Sequence, residues 1–237
     1  MAGFLLFSLR WMNKNCIFAK GKRNNMNNEI FEYLSSRSGD AKTTENCRIK
    51  EVAHELCRRC RLYEKKSADS FNDVMTRLEQ RVSEEYAKEN DCWISIRRVL
   101  ELGMPGPSGN ENDTYVSHDI IYKVNNLLNS RGSVIKLFAK ILLHNLIFAE
   151  TAYEFVGFTG FEGTSIMPIF KQNLIKNAVP ATQIEISTYM AAIGFETTGK
   201  LGAYRNKDIL VWDVIPRNVL KDEEGDVFVI DAEIELL

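Results

Sequence analysis

Near the carboxyl end the chain reads Trp212-Asp213-Val214-Ile215-Pro216-Arg217-Asn218-Val219-Leu220 and, after a short polar turn, Val227-Phe228-Val229-Ile230-Asp231. Asp213 leads Asn218 through four intervening residues, and Asp231 closes an apolar run of strand-like composition. Pro216 fixes φ inside the first interval. Lys221-Asp222-Glu223-Glu224-Gly225-Asp226 supplies a turn between two apolar runs. Singly, each polar residue has an ordinary use: Asp213 caps a strand end, Asn218 satisfies turn backbone, and Asp231 ends a strand. Together they make a carboxylate, an amide and a second carboxylate in a fixed order.

Phosphoryl transfer to a hydroxyl uses such a set. One carboxylate sits beside the attacking oxygen, while an amide oxygen and another carboxylate hold Mg²⁺ against the triphosphate. In that chemistry Asp213 is the catalytic base and Asn218 and Asp231 are the metal ligands. Working upstream, Lys123 lies in Ile120-Ile121-Tyr122-Lys123-Val124 with apolar neighbours on both sides. A strand lysine so placed can reach the α- and β-phosphates of ATP from beneath a hairpin. Ser108-Gly109-Asn110-Glu111-Asn112 precedes that hairpin. Gly109 lets backbone N–H groups approach an anion, which makes Gly109, Asn110 and Glu111 a candidate phosphate loop, although the pattern is not G-x-G-x-x-G. Lys171-Gln172-Asn173-Leu174 ends a further strand run, where Gln172 can offer backbone groups to adenine. The expected partner of the lysine is missing: residues 133–148 contain neither Glu nor Asp. Glu111, Glu150 and Glu154 stay open as substitutes, and spacing does not choose between them.

Around these residues the pattern is mixed. Arg48–Lys65 and Phe71–Tyr86 read as amphipathic helices, the second with Phe71, Val74, Leu78, Val82 and Tyr86 at steps of three and four, and with Ser67 or Asp69 as N-cap. The Gly/Pro stretch Leu102–Gly109 breaks the helical pattern. Strand runs follow at Asp113–Val116, Ile120–Val124, Tyr153–Phe158 and Ile166–Lys171, with helices predicted at Ser133–Phe148 and Thr182–Ile193. Ile209–Trp212, Asn218–Leu220 and Val227–Ile230 are strand-like again. After a short apolar start the basic, Asn-rich stretch from Lys14 reads as disordered, and residues 1–26 are expected to be a disordered extension.

Composition excludes several classes. Formal net charge is −2, so the whole chain makes no electrostatic case for nucleic acid or an acidic membrane surface. No apolar run approaches the ~20 residues of a membrane span. Five cysteines without a regular framework suit reduced thiols in a cytoplasm. Cys47, His54, Cys57 and Cys60 could be read as zinc ligands, but structural zinc draws on separated pairs from turns, and half-buried helix cysteines are the expected state. His144, among leucines, reads as a hydrogen-bonded core residue.

The combination of Ser108–Asn112, Tyr122-Lys123, His144–Phe148, Tyr153–Phe158, Ala181–Gln183 through Gly194-Phe195, and Trp212–Leu220 with Val229–Glu233 resembles the kinase-like domain of bacterial polyvalent proteins, carried by phages and mobile elements. More distantly it is similar to protein kinases and aminoglycoside phosphotransferases. The resemblance implies an α+β, compact kinase-like fold: a small antiparallel sheet as N-lobe and a truncated C-lobe, preceded by N-terminal helices. Residues 27–100 would form the helical region and 101–237 the nucleotide-binding domain. It also implies ATP and Mg²⁺ as ligands, Lys123 as phosphate lysine, Asp213 as base, Asn218 and Asp231 as metal ligands, and a hydroxyl acceptor, with room for a protein partner. Trp212 stands where protein kinases have Arg, and Ala232-Glu233 where they have Phe-Gly. With the sequence closing at Leu237, an activation segment and peptide-binding helices are not expected. The two functional expectations are a phosphotransferase and a nucleotide-binding pseudokinase.

Overall fold

Two alternating runs joined through Ser117-His118-Asp119 form the hairpin at the centre of the molecule. The structure is a computed structural model, and it describes residues 44–64 and 73–237. These fall within one compact unit, Ala41–Leu237. The extension at 1–26 and the N-caps expected at Ser67 or Asp69 lie outside the described residues.

Strands β2 (Asn112–Ser117) and β3 (Ile120–Asn125) pair in the hairpin, with Lys123 opposite Thr114. His118 takes φ 52°, as the tight turn between them demands. The Gly/Pro stretch does more than break a helix. Met104–Pro105 forms β1, a two-residue edge strand on β2, where proline's missing N–H is tolerated. β4 (Glu154–Phe161) and β5 (Ser165–Asn173) complete a five-stranded antiparallel sheet in the order β1-β2-β3-β5-β4.

Helix α1 spans Thr44–Glu64 and α2 Asp73–Glu89; a single turn, α3, covers Ile96–Val99. The α1 residues Ile49, Val52, Ala53, Leu56 and Cys60 are buried, a stripe at steps of three and four. Helix α4 (Val134–Ile147) packs against both α1 and the sheet, so it is buried almost all round. Phe138 packs its ring 5.2 Å from Phe155 and 5.4 Å from Phe170 on the sheet. Asn145 of α4 donates to Asn46 of α1 at 2.9 Å. The segment 91–95 covers the outer edge of β4. Ile94 N–H donates to Phe158 O at 2.7 Å, and a Cβ on Gly157 would meet Cys92 O at 2.4 Å.

The remaining chain carries the residues from Asp213 to Asp231. Helix α5 (Gln183–Ala192) starts in a Thr182/Glu185 capping box, and Gly194 follows its end at φ 85°. Short strands β6 (Val179–Pro180), β7 (Glu196–Thr197) and β8 (Tyr204–Arg205) lead to β9 (Ile209–Trp212). A 3₁₀ turn at Pro216–Asn218 precedes β10 (Val219–Lys221), β11 (Val227–Val229) and β12 (Glu233–Leu236). Two small antiparallel sheets result, β11-β10-β6 and β12-β9-β8-β7. The fold is α+β and antiparallel, with a helical part before the sheet.

Candidate active site

Two strand ladders bring the carboxyl-terminal residues together. In one, Trp212 of β9 faces Glu233 of β12, which puts Asp213 and Asp231 at the same end of the pair. In the other, Val219 faces Val229, and the Ile230 N–H continues the ladder to Asn218 O at 2.9 Å. Asn218 then reaches back to Asp213: its Nδ2 donates to the Asp213 carbonyl and to Oδ2, both at 2.8 Å. Asp213 sits at φ 62°, a left-handed conformation that aspartate tolerates better than most residues. The two bonds from Asn218 hold it there.

Lys123 arrives from the sheet above. Its Nζ donates to the Ile230 carbonyl at 2.8 Å and to the Tyr153 hydroxyl at 3.1 Å, and the Tyr153 hydroxyl donates to the same carbonyl at 3.1 Å. The Ile230 peptide therefore links Lys123 on one side to Asn218 and Asp213 on the other, with Asp231 next in the chain. Lys123 is buried, and burial pulls its pKa down, against the pull of the Asp231 carboxylate. The Tyr153 hydroxyl is pushed well up, first by burial and then by nearby carboxylates. His144 packs edge-on against Tyr153, with Nε2 3.1 Å from the Thr151 hydroxyl. Burial first, then Lys123, lower its pKa to about 3, so it is a neutral core residue.

The three possible acidic partners of Lys123 are engaged elsewhere or exposed. Glu154 pairs with Lys171 at 2.9 Å, Glu111 pairs with Lys140, and Glu150 is exposed. Among the described residues no carboxylate oxygen comes within ion-pair distance of Lys123.

Each candidate loop residue makes a contact within the protein. The Gly109 N–H donates to Asn112 O at 3.0 Å, and the space beyond its Cα is open. The Asn110 carbonyl accepts from Asn126 Nδ2 at 2.7 Å. Glu111 is buried, with Oε2 accepting from Asn129 Nδ2 at 2.8 Å. Gln172 opposes Ile121 on β3, and its side-chain amide donates to the Thr151 carbonyl. β4 pairs with β5 only as far as Lys171, and Gln172, next in β5, is buried.

Sequence reasoning missed Arg217, Asn129, Lys140 and Glu233. Arg217 Nη2 lies 2.8 Å from Asp213 Oδ1 and 3.1 Å from Oδ2. A signal existed for Lys140: it stands in Phe138-Ala139-Lys140-Ile141-Leu142, a cation inside an apolar helix that must find carboxylates. As for a metal, Asn218 spends its amide nitrogen on Asp213 and keeps its oxygen as a donor atom for a cation, and the Asp231 carboxylate is part-exposed. Among the described residues no three His, Cys, Asp or Glu side chains gather as metal ligands. Mg²⁺ needs no such cage, because it takes one or two carboxylates and completes its shell with water and phosphate. The residues present fit that pattern. Among the described residues Cys47, His54, Cys57 and Cys60 do not gather as metal ligands, and Cys57 has its thiol pushed up to about 11, chiefly by burial.

No helix among the described residues is long and apolar enough to cross a membrane. No curated protein matches the chain. A family described as serine/threonine/tyrosine kinase found in polyvalent proteins matches residues 77–237, about two thirds of the 237 residues. The match takes in the five-stranded sheet, α4, the Asp213–Asn218 loop and Asp231, and the chain belongs to this kinase family of polyvalent proteins.

Proposed function

We propose that the chain is an ATP- and Mg²⁺-dependent phosphotransferase that moves the γ-phosphoryl group to a hydroxyl acceptor. One observation carries this reading: the continuous set of hydrogen bonds from Lys123 through the Ile230 peptide to Asn218 and Asp213. It ties a cation, an amide and the Asp213 carboxylate together, with Asp231 the next residue after Ile230, which are the groups phosphoryl transfer uses.

In this reading Lys123 spends two of its protons within the protein and turns the third towards the phosphates. Asn218 and Asp231 hold the metal, which draws charge off the phosphate oxygens. Asp213 orients the acceptor hydroxyl and takes its proton. Arg217 occupies the Asp213 carboxylate and swings aside to admit the acceptor; as an exposed ion pair it is weakly held. Gly109–Glu111 lies over the phosphates and the strand end beyond Lys171 serves the adenine.

A second reading, a nucleotide-binding pseudokinase, is favoured by Lys123 having no carboxylate partner among the described residues. The two separate on one comparison of ATP turnover and Mg²⁺-dependent thermal stabilisation, in wild type and Asp213→Asn. The phosphotransferase loses about 10²–10⁴-fold of its turnover in Asp213→Asn and keeps its stabilisation by Mg²⁺·ATP. Stabilisation without turnover in wild type establishes the pseudokinase. Equal turnover in both proteins removes Asp213 as the base.

A further inference from the structure

Helix α4 carries the wrong sign of charge to partner a phosphate-binding lysine, and its part-buried cation, Lys140, is fully engaged. Lys140, with a side chain only 12% exposed, places Nζ 2.9 Å from Glu233 Oε1, 3.3 Å from Glu111 Oε2 and 3.9 Å from Asp231 Oδ1. Asn129 Nδ2 donates to the same two oxygens, Glu111 Oε2 and Glu233 Oε1, at 2.8 Å each. Two donors thus bridge two carboxylates. Four segments meet there: the loop before β2, the β3–α4 connection, α4 itself and the start of β12. Glu111 Oε1, also buried, has no hydrogen-bond partner.

Building on the nucleotide-site reading above, we infer that Lys140 is a positioning residue for that site: it ties the Glu111 loop to the Asp231–Glu233 segment and cancels negative charge that would repel a triphosphate. Without it, Glu111, Asp231 and Glu233 face Lys123 alone. Like charges at short range in a poorly solvated cleft interact far more strongly than in water. Removing one member of a buried ion pair leaves its partners uncompensated. The usual helix carboxylate restrains the phosphate lysine directly. Here the helix restrains the two acidic walls of the cleft, and Lys123 is held by the Ile230 carbonyl and Tyr153 instead. A purely structural Lys140 would set stability but leave nucleotide affinity untouched.

The test measures the affinity of the full chain for a non-hydrolysable ATP analogue with Mg²⁺, by calorimetry, alongside melting temperature. Wild type is compared with Lys140→Met, Lys140→Arg, the pair Glu111→Gln/Lys140→Met, and Lys136→Met, a change at an exposed position of the same helix. The expected result is at least tenfold weaker binding in Lys140→Met, near-wild-type binding in Lys140→Arg and Lys136→Met, and recovery of most of the loss in the double variant. Should Lys140→Met fail to fold, Lys140→Arg and the double variant carry the comparison. Unchanged affinity in a folded Lys140→Met, or a double variant as weak as the single one, overturns the role of Lys140. Wild type that does not bind the analogue overturns the nucleotide site itself.

Discussion

Asp213 shows how one backbone angle prepares a side chain. Its left-handed φ costs roughly 1–2 kcal/mol for an ordinary residue, and the Asn218 amide offsets that cost while turning the carboxylate out of the strand. Asn218 therefore serves Asp213 and, in the proposed function, a metal as well. In Asn218→Ala the Asp213 conformation loosens, so Mg²⁺-dependent stabilisation by ATP and turnover fall together; a loss of metal dependence alone would refute the coupling. His144 makes a second residue-scale case. Its folded pKa of about 3 lies below the ordinary 6.5, so the unfolded chain takes up the proton first. Its contribution to stability is complete above pH 6.5 and declines as pH drops from there towards 3. Glu55 and Glu185, held near 2 by arginine and lysine partners, begin to lose theirs only below about 4.5. Glu79, raised by burial, works in the opposite sense. Between pH 6.5 and 4.5 the melting temperature of His144→Gln should fall less steeply than that of wild type, and parallel curves would exclude the histidine as the cause.

At the scale of elements, α4 depends on its neighbours for its start. Ser133 caps it, accepting from Lys136 N–H at 3.1 Å. The Glu79 carboxylate of α2 then accepts from the Ser133 hydroxyl at 2.7 Å and from Ile135 N–H at 3.4 Å. A buried carboxylate at a helix N-terminus meets both the free N–H groups and the favourable end of the helix dipole. Glu79→Ala strands those donors and should cost about 1–3 kcal/mol of unfolding free energy, read from denaturant midpoints at unchanged m-value. A change within about 0.5 kcal/mol, as for an ordinary surface site, would show that Ser133 suffices alone. Elements of this length were legible in the sequence. The ends of the helices expected at Ser133–Phe148 and Thr182–Ile193 are the cap residues of α4 and α5, and the paired runs around His118 gave the hairpin, because period and turn chemistry act locally. The two-residue strands β6, β7 and β8 were not legible, since two residues carry no period. β1 was hidden in a Gly/Pro stretch whose strand state is imposed by β2.

Across the whole molecule, the order of strands turns distant residues into neighbours. The sheet delivers Lys123 from above, while the two small ladders deliver Asp213, Asn218 and Asp231 from below. The spacing of the last three was readable because all lie within one short stretch. The cluster of Glu111, Asn129, Lys140 and Glu233 was not, since its members come from loop, connection, helix and strand and meet only after packing. Lys123 belongs to this scale because it bridges the sheet to the Ile230 carbonyl. Lys123→Met removes that bond and should abolish turnover while retaining helix content by circular dichroism. Turnover within tenfold of wild type would show that the sheet lysine is dispensable.

Asp231 and Glu233 are two positions apart, and both approach Lys140. An extended backbone alternates its sides at every step, so this interval acts as a parity rule. Adding one residue between them would send one carboxylate to the opposite side, breaking the tie to α4 even though no charge had been deleted. A two-residue addition would restore the side but overshoot the reach. The turn at Asp222–Asp226 lies outside this interval and can vary in length without disturbing it.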